Sequence, residues 1–102
     1  MTREKEAQLL ENVLDGLDRL FDDECTAMDT WALVFATSEA LRGTEHSREL
    51  ERALELQSTT IRSGGSKQAK RDLALSDTDQ LRHYLADLLP LDPELIAGRE
   101  DP

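Results

Sequence analysis

Thr30-Trp31-Ala32-Leu33-Val34-Phe35-Ala36-Thr37-Ser38-Glu39-Ala40-Leu41 carries one formal charge, Glu39, in a chain of which 33% of the residues are charged. Placed on a helix at about 100° per residue, Trp31, Val34, Phe35, Ser38 and Leu41 gather with Ala27 on one side, while Ala32, Leu33, Ala36 and Ala40 cover much of the other. With no continuous polar face, the stretch reads as a helix buried nearly all round, the central element of an all-α fold. Trp31 and Phe35 are core residues on this reading. The stretch falls short of the roughly 20 apolar residues a bilayer span requires, and Asp29 and Arg42 close it off.

Upstream, residues 2–21 repeat apolar side chains at helical spacing. Leu10, Val13, Leu14, Leu17, Leu20 and Phe21 fall within one stripe, which predicts a first amphipathic helix. Glu4, Glu11, Asp15, Asp18 and Asp22 align on another face at steps of seven, four, three and four, about a third of a turn from that stripe. Like charges at i and i+4 cost a helix a few tenths of a kcal/mol per pair, and carboxylates near its C-terminus oppose the macrodipole. Local conflict of this kind concentrates at functional surfaces, so the ridge is a candidate docking face as well as a solvated one. Asp22-Asp23-Glu24-Cys25 connects to the second helix, and Thr26 with Asp29 three residues on forms a capping-box variant. Residues 6–41 contain nine acids and one base, Arg19.

Gly43 is placed to end the second helix in a left-handed conformation. Thr44 or Ser47 then caps a third helix reaching about Arg62, with a narrower stripe of Leu50, Ala53, Leu54, Gln57 and Ile61. On its exposed side Arg48, Glu51, Arg52 and Glu55 mix signs and read as solvated pairing. Ser63-Gly64-Gly65-Ser66 is a loop, beyond which a fourth helix runs from about Lys67 to Leu89. Its core candidates are Ala69, Leu73, Leu81, Tyr84, Leu85 and Leu88. Ser76-Asp77-Thr78-Asp79 repeats a capping pattern and offers a kink or restart there. Pro90 stops the helix, Asp92-Pro93-Glu94 opens a short C-terminal turn through Ala97, and residues 98–102 form a frayed tail.

The 102 residues form one domain, long enough to bury a core without staples. The lone Cys25 allows no internal disulfide, and the N-terminus leads into an amphipathic segment rather than an apolar one, so the expectation is a cytoplasmic chain without signal peptide or membrane anchor. Twelve basic against twenty-two acidic residues give a net charge of −10, which disfavours nucleic acid and anionic lipid and favours a basic protein partner.

Reaction chemistry finds little support. Asp22, Asp23 and Glu24 oppose the thiolate that a catalytic Cys25 needs, whether paired with His46 or His83. Lys67 after Gly64-Gly65-Ser66 lacks the spacing and the preceding strand of a nucleotide-binding loop. Asp79, His83 and Asp87 share a helix face at i, i+4, i+8, which suits a metal in principle but suits solvated pairing better, and Glu45-His46 supplies no second half. Paired carboxylates on an exposed ridge lack the pocket that separates acid from base. No enzyme, cofactor or metal site is expected.

The expected architecture is a four-helix up-and-down bundle with a short C-terminal helix. In size, acidity and helical build, and in the stretch Ala36-Thr37-Ser38-Glu39-Ala40-Leu41-Arg42-Gly43-Thr44, the chain resembles the small acidic immunity proteins that bacteria make against contact-delivered toxins. The resemblance carries over no residue role. It implies a stoichiometric inhibitor of a toxin, a nuclease with a basic cleft being one such target. Charge then selects Glu11, Asp15, Asp18, Asp22, Asp23 and Glu24 as the partner-binding residues. The alternative is a regulatory or adaptor bundle, a homodimer joined through apolar surface left on the third and fourth helices. Monomer and homodimer both remain open.

Overall fold

The computed structural model describes residues 2–89, and among these the structure is all-helical, with four helices: α1 (Arg3–Phe21), α2 (Ala27–Ala40), α3 (Ser47–Arg62) and α4 (Lys67–Leu88). The short C-terminal turn and the tail lie outside the described residues. Each helix packs on the next in sequence and α1 closes the ring against α4. Their directions alternate. His46 before α3 meets Glu6 in the first turn of α1 and Tyr84 near the end of α4, while at the opposite end Arg71 in α4 reaches the last carbonyls of α1.

The N-termini are set by short hydroxyl side chains. Thr2 accepts from the Lys5 amide, Ser66 accepts from the Ala69 amide, and Thr26 and Asp29 close both halves of a capping box at 3.2 and 2.9 Å. Helix α1 ends in a turn where the Asp23 and Glu24 amides bond back to Leu20 and Arg19, with Asp23 at φ +62°, a left-handed conformation that aspartate tolerates better than most side chains. Gly43 also takes positive φ, +84°, two residues past the cap Leu41 rather than directly after the helix. The cap of α3 differs from expectation: His46 holds the N-cap position without a side-chain bond to the helix. Thr44 is occupied within the turn, donating to the Leu41 carbonyl and accepting from the His46 amide.

Ala7, Leu10, Val13, Leu17, Val34, Leu41, Leu50, Ala53, Leu81 and Leu85 form the main core, and Leu20, Ala27 and Ala74 a smaller one toward the other end. A fully buried Leu side chain stabilises the fold by about 1.5–3 kcal/mol relative to exposure, so these positions dominate the favourable side of folding. At Gly16 an added Cβ would lie 2.5 Å from Leu33 Cδ2, which marks the close approach of α1 and α2.

Helix α2 is not buried all round. Its inner stripe is Ala27, Thr30, Val34, Thr37 and Ser38, whereas Met28 is 51% and Phe35 44% exposed and Ala32 and Ala36 face solvent. It is one wall of a four-membered ring, and a ring gives each helix an outer face however apolar its sequence. Phe21 is likewise 56% exposed, not core, and is covered on one side by the Arg82 guanidinium 5.0 Å from its centroid. Leu73 is exposed too. Helix α4 runs unbroken through Ser76: Thr78 faces inward and donates to the Ala74 carbonyl, so the capping pattern is absorbed into the helix.

The interior carries a polar seam. Gln57 Nε2 donates to Thr30 Oγ1 at 3.2 Å, Thr60 bonds to Asp77, and Trp31 Nε1 donates to Ser58 Oγ at 2.9 Å. Gln57 is 1% exposed and its Oε1 has no hydrogen-bond partner among the described residues.

Candidate partner-binding surface and a buried histidine

The α1 stripe Ala7, Leu10, Val13, Leu17 and Leu20 is fixed in the core, and this orientation turns Glu4, Glu11, Asp15 and Asp22 outward. The ridge expected from the spacing therefore exists as a surface, but its members differ. Asp15 pairs with Arg19 at 3.2 Å, both side chains largely exposed, an arrangement worth a few tenths of a kcal/mol. Asp18 is held by Arg82 of α4 at 2.8 and 3.0 Å, and Asp23 lies 3.4 Å from Arg71. Glu11, Asp22 and Glu24 are exposed and make no ion pair among the described residues. Half of the six selected carboxylates are thus engaged within the chain and half are open to a partner.

The reversed charge at the start of α4 has a local explanation. Arg71 donates to the Leu20 and Phe21 carbonyls at the C-terminus of α1, and Lys70 Nζ donates to the Ile61 carbonyl near the end of α3. These cations oppose their own helix dipole but complement those of two antiparallel neighbours. A cavity of about 280 Å³ opens beside them, lined by Cys25, Ala27, Met28, Ile61 and Lys67 among others. At its edge Cys25 is half-buried. Burial pushes its thiol pKa up and Asp29 adds to the effect, outweighing Arg19, a direction that disfavours the thiolate.

Asp79 and His83 approach each other, with His83 Nδ1 3.5 Å from the Asp79 carboxylate, but Asp87 does not complete a three-ligand cluster with them among the described residues. His83 is exposed and its Nδ1 bonds to the Asp79 backbone carbonyl at 3.0 Å. The histidine that sequence reasoning set aside is the organised one. His46 is fully buried, with Nε2 2.7 Å from Glu6 Oε1 and Nδ1 2.7 Å from the Tyr84 hydroxyl. An ionised carboxylate only accepts, so opposite an ionised Glu6 Nε2 is the donor, and Nδ1 of a neutral ring accepts from Tyr84. Glu45 Oε1 stands 3.6 Å from the same Nε2. The missing partner of Glu45-His46 is Glu6, 40 residues upstream on another helix, a juxtaposition that no local spacing announces. Burial first, then the charges of Glu45, Glu49 and Glu6, raise the Tyr84 pKa and keep it a neutral hydroxyl.

Comparison with protein-family models, with curated proteins and with solved structures finds no match to this chain. No described helix is long and apolar enough to cross a membrane.

Proposed function

We propose that the protein is a non-enzymatic protein-binding module that captures a basic partner on the acidic face of α1, in the manner of an immunity protein neutralising a toxin. The observation that carries this reading is the exposure of Glu11, Asp22 and Glu24, without ion pairs among the described residues, on α1 and the turn that follows it, the opposite face of the helix being locked into the core. Because α1 is held by its buried stripe, the backbone carrying these carboxylates is already ordered, and binding has only their side chains left to fix. Excess negative potential steers a basic surface toward the ridge and raises the association rate. Asp15, Asp18 and Asp23 add to that field, while Arg19, Arg82 and Arg71 hold their side chains in place. On this proposal the protein is cytoplasmic, and its target is a toxin domain with a basic cleft, such as a nuclease.

The test recovers a binding partner by co-purification with wild type and measures its association with wild type and with the triple variant Glu11→Lys, Asp22→Lys, Glu24→Lys. All three positions lack intramolecular ion pairs among the described residues, so the variant should fold as wild type does. The expected result is an association rate lowered on the order of tenfold or more. Unaltered binding by the triple variant would refute the docking mode.

A second reading rests on a different observation. Met28 and Phe35 on α2, Leu56 on α3 and Leu73 on α4 are all exposed, and Phe35 stacks on Trp31 at 5.6 Å. Apolar surface of this kind suits a homodimeric regulatory or adaptor bundle. Sedimentation equilibrium separates the readings, since the dimer has twice the monomer mass.

A further inference from the structure

The geometry points to a divalent transition-metal site formed by Glu6, Glu45 and His46, with zinc as its reference ion. One donor atom from each of the three lies within 4.8 Å of the others, and the three side chains come from two separate parts of the chain, the first turn of α1 and the turn leading into α3. Tetrahedral zinc with bonds near 2.0–2.2 Å sets its donors about 3.4 Å apart. The Glu45–His46 separation of 3.6 Å already fits, and the Glu6–His46 hydrogen bond of 2.7 Å needs to open by under an ångström as the ion replaces the shared proton. Glu6 is 15% and Glu45 70% exposed, so ions can enter from solvent on the Glu45 side and water can complete the coordination shell.

Tyr84 makes the exchange feasible. A ring buried to 0% needs both nitrogens satisfied, and metal binding at Nε2 forces the proton onto Nδ1. A hydroxyl both donates and accepts, so Tyr84 serves either tautomer from one position, donating to Nδ1 in the free protein and accepting from it in the metal-bound one. It acts as a positioning residue of the kind that orients metal-bound imidazoles elsewhere. Two carboxylates against one imidazole leave the site negative, in a chain of net charge −10. A nitrogen donor with two carboxylate oxygens favours a borderline ion such as Zn²⁺ or Co²⁺ over Mg²⁺ and Ca²⁺, which take oxygen ligands alone.

The experiment is calorimetric titration of the purified full chain with Zn²⁺, paired with visible spectroscopy of Co²⁺ uptake. Wild type should bind one ion per chain, with the Co²⁺ bands of a nitrogen-containing site. Glu45→Gln, at an exposed position that leaves the fold intact, should weaken binding by about tenfold or more, and Tyr84→Phe by about 10–100-fold. His83→Ala should leave affinity and stoichiometry unchanged. Absence of saturable uptake by wild type would overturn the site, and so would an affinity left unchanged by Glu45→Gln or lost in His83→Ala.

Discussion

Replacing buried Gln57 by methionine should make the protein more stable. Gln57 sits in the core with one bond, Nε2 to Thr30 Oγ1, and an Oε1 without a partner among the described residues. Turning the amide over does not help, because the Thr30 hydroxyl hydrogen already goes to the Ala27 carbonyl at 2.9 Å and an oxygen facing it would find no donor. An unsatisfied buried polar group costs about 1–3 kcal/mol, whereas a satisfied hydrogen bond contributes about 0.5–1.5 kcal/mol. Methionine matches the volume, removes the orphan acceptor and gives up only the single bond, while Thr30 keeps its own donor satisfied. The net gain is about 1 kcal/mol, which for a domain of this size raises Tm by roughly 4–8 °C. Thermal and urea denaturation of Gln57→Met beside wild type measure it directly. A loss of about 1 kcal/mol or more would refute the reasoning, since it would mean that Oε1 is bonded in the folded protein and that the polar seam is required.

Two further outcomes depend on titration. The Thr26 amide bonded to Asp29 holds that carboxyl below its ordinary value of 3.8, so its contribution is fully present above 3.8 and is lost as pH falls through the lower folded value; the Tm difference between wild type and Asp29→Ala should therefore narrow from neutral pH to below 3.8. Tyr84 is the only tyrosine, so absorbance at the phenolate band reports it alone. Its raised pKa means that stability is intact below the ordinary value of 10 and is lost as pH rises through the folded value, and ionisation in the native chain at or below 10 would contradict its placement beside Glu6, Glu45 and Glu49.

Helix positions and the α1 ridge were legible in the sequence because both depend on local spacing. The stripe from Leu10 to Leu20 and the Thr26–Asp29 capping box are i, i+3 and i, i+4 patterns, and the structure contains both. Burial of α2 was misread because apolarity reports what a helix can bury, not how many neighbours the fold supplies; in a ring of four, Met28 and Phe35 are left outside. Phe21 was misassigned for a related reason, lying at the edge of its stripe where Arg82 covers it. The inference of a restart at Ser76 failed because Thr78 and Asp77 spend their polar groups on Ala74 and Thr60. The Glu6–His46–Tyr84 triad was invisible, its members being 40 and 38 residues apart and brought together only by the alternating helix directions.

The claim that an exposed acidic helix face captures a basic partner is tested most directly by the ionic-strength dependence of the association rate between wild type and the partner that co-purifies with it. Steered association should slow on the order of tenfold or more as salt shortens the Debye length from about 30 Å at 0.01 M to about 8 Å at 0.15 M, with the dissociation rate far less affected. An association rate that stays flat across that range would contradict the account, leaving the α1 carboxylates as a solvated surface.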